Sequence, residues 1–470
     1  FRFARHSPLL TASDGVQVHE LDPDVGFESF LMDILDVVER EGVGADYVFD
    51  CLSDLAVDWY SDQMLGNFFM ITCPFLFELD TVAYFAIHRN RHTSRSVDSI
   101  TRTAQVVIDV FHNRQQLYVQ PLKVWRRYSQ TMYMLHSWEA DAFRPVTNSA
   151  VLAEILADLP QPWLDFRVLR PGVWTRTFTH AQETLTAVNS GKLTFWEAED
   201  CFHRLLRMAV TRDERFARMA EQYFQLSDLV EIFKRMIGTG LIGGKSLGML
   251  LARAILLRHD DRWTDRLEAH DSFFIGSDVF YTFLVENGCW WLRRRQRDEA
   301  TYLDCVAEAQ QRMLAGAFPE HTRQQFMEML NYFGQSPIIV RSSSLLEDNY
   351  GNAFSGKYES VFCPNQGSPE ERLEAFMDAV RTVYASAMSA DALNYRRHRG
   401  LLDRDEQMAL LVQRVSGDVY GEHFFPHAAG VAFSFNPFPW NEAIDPDYGF
   451  LRLVLGLGTR AVDRVARDYT

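Results

Sequence analysis

The stretch RSSSLLEDNYGNAFSGKYES, Arg341–Ser360, follows a short apolar run at residues 337–340 that predicts a buried strand. A strand that ends in Arg341 presents a fixed guanidinium at the rim of a sheet. The serines after it offer hydroxyl and backbone N–H groups, and Gly351 and Gly356 allow the backbone to approach a ligand closely. This combination suits a polyphosphate, although a solvated loop after a strand can have the same composition.

The composition is that of an ordinary globular chain, with 470 residues, 47% hydrophobic and 23% charged. The length predicts about three domains. The 47 Lys+Arg against 63 Asp+Glu give a formal net charge of −16, which argues against broad nucleic-acid binding because phosphates would be repelled. Six cysteines without a C-x-x-C pair indicate free thiols and a cytoplasmic protein.

The most apolar run, residues 68–77, is too short to cross a bilayer, so we expect no membrane segment. The chain begins with Phe1, shows no signal-peptide pattern, and ends on Thr470 without a terminating signal. We therefore expect it to be a piece of a longer protein.

Residues 1–145 predict an α/β domain with a parallel sheet, because an apolar strand ending in Asp50 starts an alternation of strands and helices. Further strands are predicted at residues 83–88 and 105–111, and a hairpin at Gln116–Ser129 and Thr131–His136. The segment resembles the second half of a RecA-like ATPase core of the KaiC-like type, with Asp50 at the Walker B position. Since G-x-x-x-x-G-K-[ST] is absent between Phe1 and Asp50, we interpret this domain as incomplete or non-catalytic.

Residues 146–235 predict a helical connector that carries no recognisable chemistry. Four prolines mark the boundary region before its helices, at positions 145, 160, 162 and 171. Apolar side chains then recur at helical spacing over residues 195–210 and 213–233.

A glycine-rich segment follows the connector: Gly238–Ser246 reads GTGLIGGKS and misses a Walker A loop only because Thr239 is not glycine. A Walker A loop follows a buried strand, whereas residues 227–237 have helical periodicity. Two glycines make a tight turn and a helix begins directly after it, which places Lys245 at a helix start. Because the dipole there favours anions, a lysine at this position indicates a phosphate ligand.

Six motifs occur in the order found in the ATP-grasp nucleotide-binding domain of phosphoenolpyruvate synthase and pyruvate phosphate dikinase, and residues 227–470 resemble that family. The motifs are GGKS at Lys245, IIVRSSSLLED at Arg341, FSGKYES at Phe354–Ser360, MALLVQRV at Met408–Val415, GVAFSFNP at Gly430–Pro437 and LGLG at Leu455–Gly458. The fold class expected is therefore multidomain, α/β and α+β. It combines a RecA-like parallel-sheet domain without its P-loop (1–145), a helical connector (146–235) and a two-subdomain ATP-grasp domain (236–470).

Local patterns support elements of the last domain. Residues 368–371 read as a capping box with proline at the first helical position, and the helix after it carries an apolar stripe. Strands predicted at Met408–Val415, Gly430–Phe435 and Leu451–Leu455 are expected to build one sheet.

The resemblance implies that Lys245 and Arg341 clamp the triphosphate of ATP and are the catalytic residues. It also implies that the glycine-rich segment at Phe354–Gly356 covers the phosphates and that the strand around Gln413 holds the adenine through its backbone. The residues expected to bind ATP are Gly243, Gly244, Lys245, Arg341, Ser342, Ser343, Ser355, Gly356, Gln413, Arg414 and Val415.

The resemblance also implies Mg²⁺ with ATP, because the family pattern continues GLGE and its glutamate binds the Mg²⁺ that bridges the phosphates. This chain has Thr459 at that position, and a hydroxyl is a poor substitute for a carboxylate toward a hard cation. Nearby carboxylates that would compensate belong to Glu442, Asp445, Asp447, Asp463 and Asp468. The sequence therefore assigns no metal ligand.

The family transfers a phosphoryl group from ATP to a histidine in a Gly-rich Ser-His segment, and none of the fourteen histidines here has that setting. We predict an ATP-binding phosphotransferase domain whose phosphohistidine domain lies beyond Thr470 or on a partner. The alternative is an ATP sensor or scaffold without turnover, indicated by Thr459 and the missing phosphate loop. A P-loop NTPase built on Gly238–Ser246 is a third interpretation, and homo-oligomerisation is left open.

Overall fold

The structure is a computed structural model that describes residues 1–3, 15–89, 91–139, 142–157, 171–194, 196–346, 357–436, 439, 441 and 443–456. Within these residues the chain forms helices and several open sheets. The α-helices are α1 (Phe27–Glu41), α2 (Leu52–Asp58), α3 (Asp62–Glu78), α4 (Ser94–Thr103), α5 (Ser149–Ala157), α6 (Val173–Asn189), α7 (Glu199–Leu205), α8 (Glu214–Tyr223), α9 (Leu226–Lys234), α10 (Gly244–His259), α11 (Arg262–Arg266), α12 (Ser277–Glu286), α13 (Trp290–Arg295), α14 (Val306–Leu314), α15 (Glu320–Phe333), α16 (Pro369–Ser386) and α17 (Ala390–His398).

The strands are β1 (Asp46–Phe49), β2 (Val82–Phe85), β3 (Val106–Asn113), β4 (Gln116–Val124), β5 (His136–Glu139), β6 (Ala142–Pro145), β7 (Met236–Ile237), β8 (Ser272–Ile275), β9 (Ile338–Ser344), β10 (Ser360–Cys363), β11 (Met408–Arg414), β12 (Asp418–Tyr420), β13 (His423–Phe425), β14 (Ala428–Phe433) and β15 (Phe450–Leu455). A π-helical turn at Leu206–Val210 continues α7.

The first part of the chain contains the predicted strand before Asp50, which is β1, and β1 pairs with β2 in parallel. The third predicted strand, β3, does not join them, because it pairs antiparallel with β4 in the sheet β3-β4-β5-β6. Arg114 and Gln115 form the two-residue turn between them with φ of 44° and 69°. Such a turn favours Asn and Gly, so a turn made of Arg and Gln does not announce a hairpin at this position. The predicted hairpin was also misplaced, since its return strand, β5, starts at His136.

The central sheet has five strands in the order β10-β9-β11-β8-β7, and in it only β7 and β8 run parallel. One face packs against α10, because Phe274 and Leu411 share a buried cluster with Leu247 and Leu251 of that helix. The other face joins a second cluster that contains α12 and α16. The sheet is therefore a buried layer between two sets of helices.

Three sequence expectations around this sheet were wrong. The strand expected to end in Arg341 continues through Ser344, so Arg341 lies in the middle of β9. The helix predicted through residue 237 ends at Lys234, and Met236–Ile237 instead form β7 beside β8. The strands β11, β14 and β15 were expected to build one sheet, but β14 pairs with β15 in a separate sheet. Both edges of β11 are already occupied by β8 and β9, so it has no edge left for a later strand.

The helix after β10 confirms a local prediction. Ser368 and Glu371 form a reciprocal capping box, in which the Glu371 amide donates to Ser368 Oγ at 3.2 Å and the Ser368 amide donates to Glu371 Oε2 at 2.9 Å. Pro369 occupies the first helical position. The predicted apolar stripe of α16 is buried.

A continuous hydrophobic core joins α1 and α3 to the helices and strands around the central sheet. Asn67 of α3 donates to Thr282 of α12 at 3.0 Å. Asp405, which precedes β11, caps α1 by accepting the amides of Glu28 (2.9 Å) and Ser29 (3.0 Å). Distant parts of the chain therefore fold onto one another, while the predicted domain boundaries at 145 and 235 stay predictions.

The cysteines are all free thiols, as expected. In the described part of the chain, none of the helices combines the length and the apolar character that crossing a bilayer requires.

A buried polar chain stabilises the segment around β1 and β2. His92 contacts Ser53 Oγ through Nε2 at 2.7 Å and Asp62 Oδ1 through Nδ1 at 2.6 Å. Asp62 Oδ2 also accepts the Val173 amide at 2.8 Å, and Ser53 Oγ accepts the His88 amide at 2.8 Å. This is the bonding order of a serine-hydrolase triad, but Ser53 is only 4% exposed and its oxygen is already engaged. The network is internally satisfied and structural.

Replacing His92 with alanine is expected to lower the free energy of unfolding by roughly 3 kcal/mol, because Oδ1 of the buried Asp62 loses its partner and only Oδ2 keeps one, the Val173 amide. Urea unfolding measures this change. His88→Ala is the matched control, because the His88 side chain is exposed and only its backbone takes part. Equal losses in the two variants would show that the His92 side chain adds no stability.

Candidate functional site

The glycine turn before α10 lies directly against β9. Gly243 is the N-cap of α10 with φ of 80°, in the left-handed region that favours glycine. A β-carbon built at this position would overlap the carbonyl oxygen of Ser343. Only glycine therefore allows the start of α10 to cross β9 at this distance.

Hydrogen bonds between serines hold this crossing in place. Ser343 Oγ donates to the carbonyl of Ile242 at 2.8 Å and accepts the Ser246 amide at 3.0 Å. Its hydroxyl also lies 3.0 Å from Ser246 Oγ. Ser343, an expected ATP ligand, thus fixes α10 onto β9 in this conformation, and ligand contact by its hydroxyl stays a prediction.

Lys245 lies in the first turn of α10, as predicted, and that turn contains no acidic residue. Its ammonium donates to Ser342 Oγ at 3.2 Å. Ser342 directly follows Arg341 on β9, so two segments about a hundred residues apart along the chain meet here. The positive charge of Lys245 and the positive end of the α10 dipole thereby lie beside the second half of β9.

Arg341 and Gln413 lie on the sheet face that α10 covers. Arg341 pairs with Leu411, which belongs to the α10 cluster, and directly paired residues share a face. Gln413, two residues further on β11, places Nε2 3.1 Å from Met249 Sδ and 3.2 Å from Ser272 Oγ. Arg341 is half-buried, and among the described residues its guanidinium has no hydrogen-bond or ion-pair partner.

Arg414 and Val415 are engaged within the protein. Their amides donate to the carbonyls of Asp271 at 3.0 Å and Pro337 at 2.9 Å. The Arg414 guanidinium contacts Asp271 Oδ2 at 2.7 Å. Burial acts to raise the pKa of Asp271, but hydrogen bonds from Arg414 and Arg235 outweigh it and hold that pKa below its usual value. In this conformation the two amides are not available to an adenine ring.

The first half of the glycine loop is also committed to the protein. The Leu241 amide donates to Ser277 Oγ at 3.1 Å and the Ile242 amide donates to the Ala209 carbonyl at 2.8 Å. A Walker A loop instead points its amides at phosphate oxygens. Although β7 supplies a short strand before the loop, this geometry does not favour the P-loop interpretation.

Thr239 of this loop donates to Asp278, a buried carboxyl whose pKa is raised by burial. Ser61 Oγ, at the N-cap of α3, lies 2.9 Å from Thr239 Oγ1. The loop that leads to Lys245 is therefore fixed by α12 on one side and by α3 on the other.

Comparison with known proteins finds a family that matches this part of the chain. Residues 239–470 match the family model described as pyruvate phosphate dikinase, AMP/ATP-binding domain. The matched segment contains Lys245, Arg341 and Gln413 together with every strand of the central sheet except β7.

A second similarity is to the rifampicin phosphotransferase of Streptomyces sviceus, which is 32% identical over 124 residues. That alignment covers 26% of this chain and 12% of the length of the relative. The two similarities support an ATP-binding domain of a phosphotransferase family in the second half of the chain.

Several expected site residues lie outside the described part of the chain, namely Ser355, Gly356 and Thr459. Within the described residues no group of three or more His, Cys, Asp or Glu is arranged to hold a metal ion. Asp445 is described, and its carboxylate accepts the amide of Asp447 in a turn before β15. The Mg²⁺ ligands therefore stay unassigned.

Three carboxylates that organise the site were missed by sequence reasoning: Asp271, Asp278 and Glu406. Asp271 precedes β8 and Glu406 lies two residues before β11, so each is an acidic residue at the start of an apolar strand. Such a residue is usually read as a solvated strand end. Here the acidic residues were visible in the sequence, but the sequence did not identify their partners.

Proposed function

We propose that residues 236–470 form an ATP-grasp domain that binds ATP between the start of α10 and the end of β9. In this proposal the domain passes a phosphoryl group from ATP to a histidine outside this chain. The observation that carries it is the 3.2 Å contact between the Lys245 ammonium and the hydroxyl of Ser342, the residue next to Arg341. The match to an AMP/ATP-binding domain supports the same ligand.

The chemistry asked of these residues is positioning and charge neutralisation. When bound, ATP supplies the phosphoryl group. Lys245 provides a compact positive charge at a helix start, and Arg341 provides a planar donor from a strand in the central sheet. Cations held in fixed positions stabilise the charge that develops on phosphate oxygens during transfer.

Lys245→Ala and Arg341→Ala are each expected to weaken binding of a non-hydrolysable ATP analogue about 30-fold, since a charge-assisted hydrogen bond contributes roughly 2 kcal/mol. Isothermal titration calorimetry measures this. Lys234→Ala is the matched control, because Lys234 is exposed near the end of α9 and pairs with Glu231 within the helix. Unchanged affinity in Lys245→Ala would reject its assignment.

An ATP sensor without turnover is the second candidate. It is favoured by the contact between Ser61, at the start of α3, and Thr239 in the loop before Lys245. Through the contact between Ser61 and Thr239, a ligand bound at Lys245 would change the conformation of the segment around α3. Formation of AMP or free phosphate well above the Lys245→Ala background would exclude this candidate.

The finer organisation belongs to the same proposal. Residues 1–145 would be an incomplete relative of RecA-like ATPases, and residues 146–235 a helical connector. The phosphohistidine domain would lie in a further segment or on a partner, in the cytoplasm, and Mg²⁺ would accompany ATP. Self-association is tested by light scattering with and without the analogue.

A further inference from the structure

The buried carboxylate of Glu406 joins the strands that surround the candidate site. Glu406 is completely buried and lies just before β11. Its Oε1 accepts the hydroxyl of Ser344, the last residue of β9. Its Oε2 accepts the hydroxyl of Tyr358, two residues before β10. One side chain thus connects the end of β9 with the approaches to β10 and β11.

The charge of Glu406 is balanced inside the protein. Arg396, also completely buried, places Nη1 3.3 Å from Glu406 Oε2. The Glu406 amide donates to Glu28 Oε1 at 3.1 Å. A buried charge with a fixed counter-charge and fixed donors has little freedom to move, so the groups that it holds are held rigidly.

The position of Ser344 connects this network to the candidate site. Ser342 and Ser344 occupy successive positions on the same face of β9, about 7 Å apart by strand geometry. Ser342 accepts a hydrogen bond from the Lys245 ammonium, and Ser344 donates one to Glu406. Arg341 projects from the same short stretch of strand on the other face.

We propose that Glu406 is a positioning residue for phosphate binding. Glu406 fixes the end of β9 so that Arg341 and Lys245 contact the same ligand. This inference rests on the function proposed above. The reason is geometric, because a displacement of about 1 Å in a positioned binding group can cost roughly 100-fold in activity. A carboxylate is required since it accepts from two hydroxyls at once, one on each oxygen, whereas an amide has a single acceptor oxygen.

The test compares two tyrosines that lose only a hydroxyl. Tyr358→Phe removes a donor to Glu406, whereas Tyr384→Phe removes a buried hydroxyl that has no hydrogen-bond partner within the described residues. We expect Tyr358→Phe to weaken binding of the non-hydrolysable ATP analogue at least fivefold and Tyr384→Phe to leave it unchanged. Adenosine binding should be the same in both, because only phosphate contacts depend on β9.

Ser344→Ala removes the other hydroxyl that donates to Glu406 and is expected to weaken analogue binding in the same way. A second variant with the same effect would show that a folding defect of Tyr358→Phe is not the cause. In an Arg341→Ala background, Tyr358→Phe should add little, because the residue that it positions is gone. Equal affinities in the two tyrosine variants, or additive effects with Arg341→Ala, would overturn the inference. Absence of analogue binding in the wild-type chain would instead overturn the proposed function.

Discussion

Replacing Glu28 with glutamine is expected to lower the free energy of unfolding by roughly 3 to 5 kcal/mol, because it removes the counter-charge of buried arginines. Glu28 Oε2 lies 3.1 Å from Arg293 and 2.7 Å from Arg297, and Arg293 is completely enclosed. Denaturant unfolding gives the change. Glu39→Gln is the control on the same helix, since its contact with Arg294 at 2.7 Å is at the surface and should contribute below about 1 kcal/mol.

The acid sensitivity of the fold provides a second measurement on the same variant. Burial acts to raise the pKa of Glu28, but the charges of Arg293, Arg297 and Arg396 outweigh it and lower that pKa from 4.5 to about 2. The stability from this depressed pKa is present above pH 4.5 and is lost as the pH falls toward 2. Asp405, whose pKa is raised by burial and by Glu28, acts in the opposite direction and offsets part of the loss.

Wild-type stability should therefore fall more steeply than that of Glu28→Gln between pH 4.5 and 2. Identical acid profiles for the two proteins would contradict the assignment of this group as an ionised buried carboxylate.

Gly243→Ala is expected to cost roughly 4 kcal/mol and to remove ATP-analogue binding, because the added methyl group would collide with the backbone of β9. The collision is with the carbonyl oxygen of Ser343, which cannot rotate away as a side chain could. Thermal unfolding and calorimetric titration measure the two effects.

Gly334→Ala separates this collision from backbone strain. Gly334 also has a positive φ, 61°, but a β-carbon built there meets nothing within 4 Å. Its substitution should cost only about 1 kcal/mol, the penalty of the left-handed conformation. If both glycine variants lost the same free energy of unfolding, the collision between α10 and β9 would add nothing to the cost of backbone strain.

The features that the sequence predicted well are those set by neighbouring residues. The strand that leads into Arg341, the helix start at Lys245 and the capping box of α16 were found, although the strand continues to Ser344, because each depends on a few adjacent side chains. Strand pairing was harder, as β3 shows, since a two-residue turn of Arg114 and Gln115 lacks the usual turn residues. The pairing of β11 with earlier strands depends on contacts far apart in sequence.

The residues of the candidate site also separate into those that the sequence indicated and those that it did not. Lys245 and Arg341 were singled out by residue type and setting, and the structure places Lys245 beside the residue that follows Arg341. The commitment of the Arg414 and Val415 amides to internal carbonyls was not visible in the sequence. Glu406 was not recognised at all, since its importance lies in three partners from separate segments.

The packing of α3 on α12, together with the salt bridges of Glu28, has a consequence for how this protein can be rearranged. Arg293 and Arg297, which belong to the ATP-binding part of the chain (residues 236–470), form salt bridges with Glu28 of α1. A cut before residue 236 would strip that counter-ion and uncover apolar helix surface. Residues 236–470 are therefore not expected to fold as an independent unit when they are moved into another protein. The helices α1 and α3 would have to be included with them.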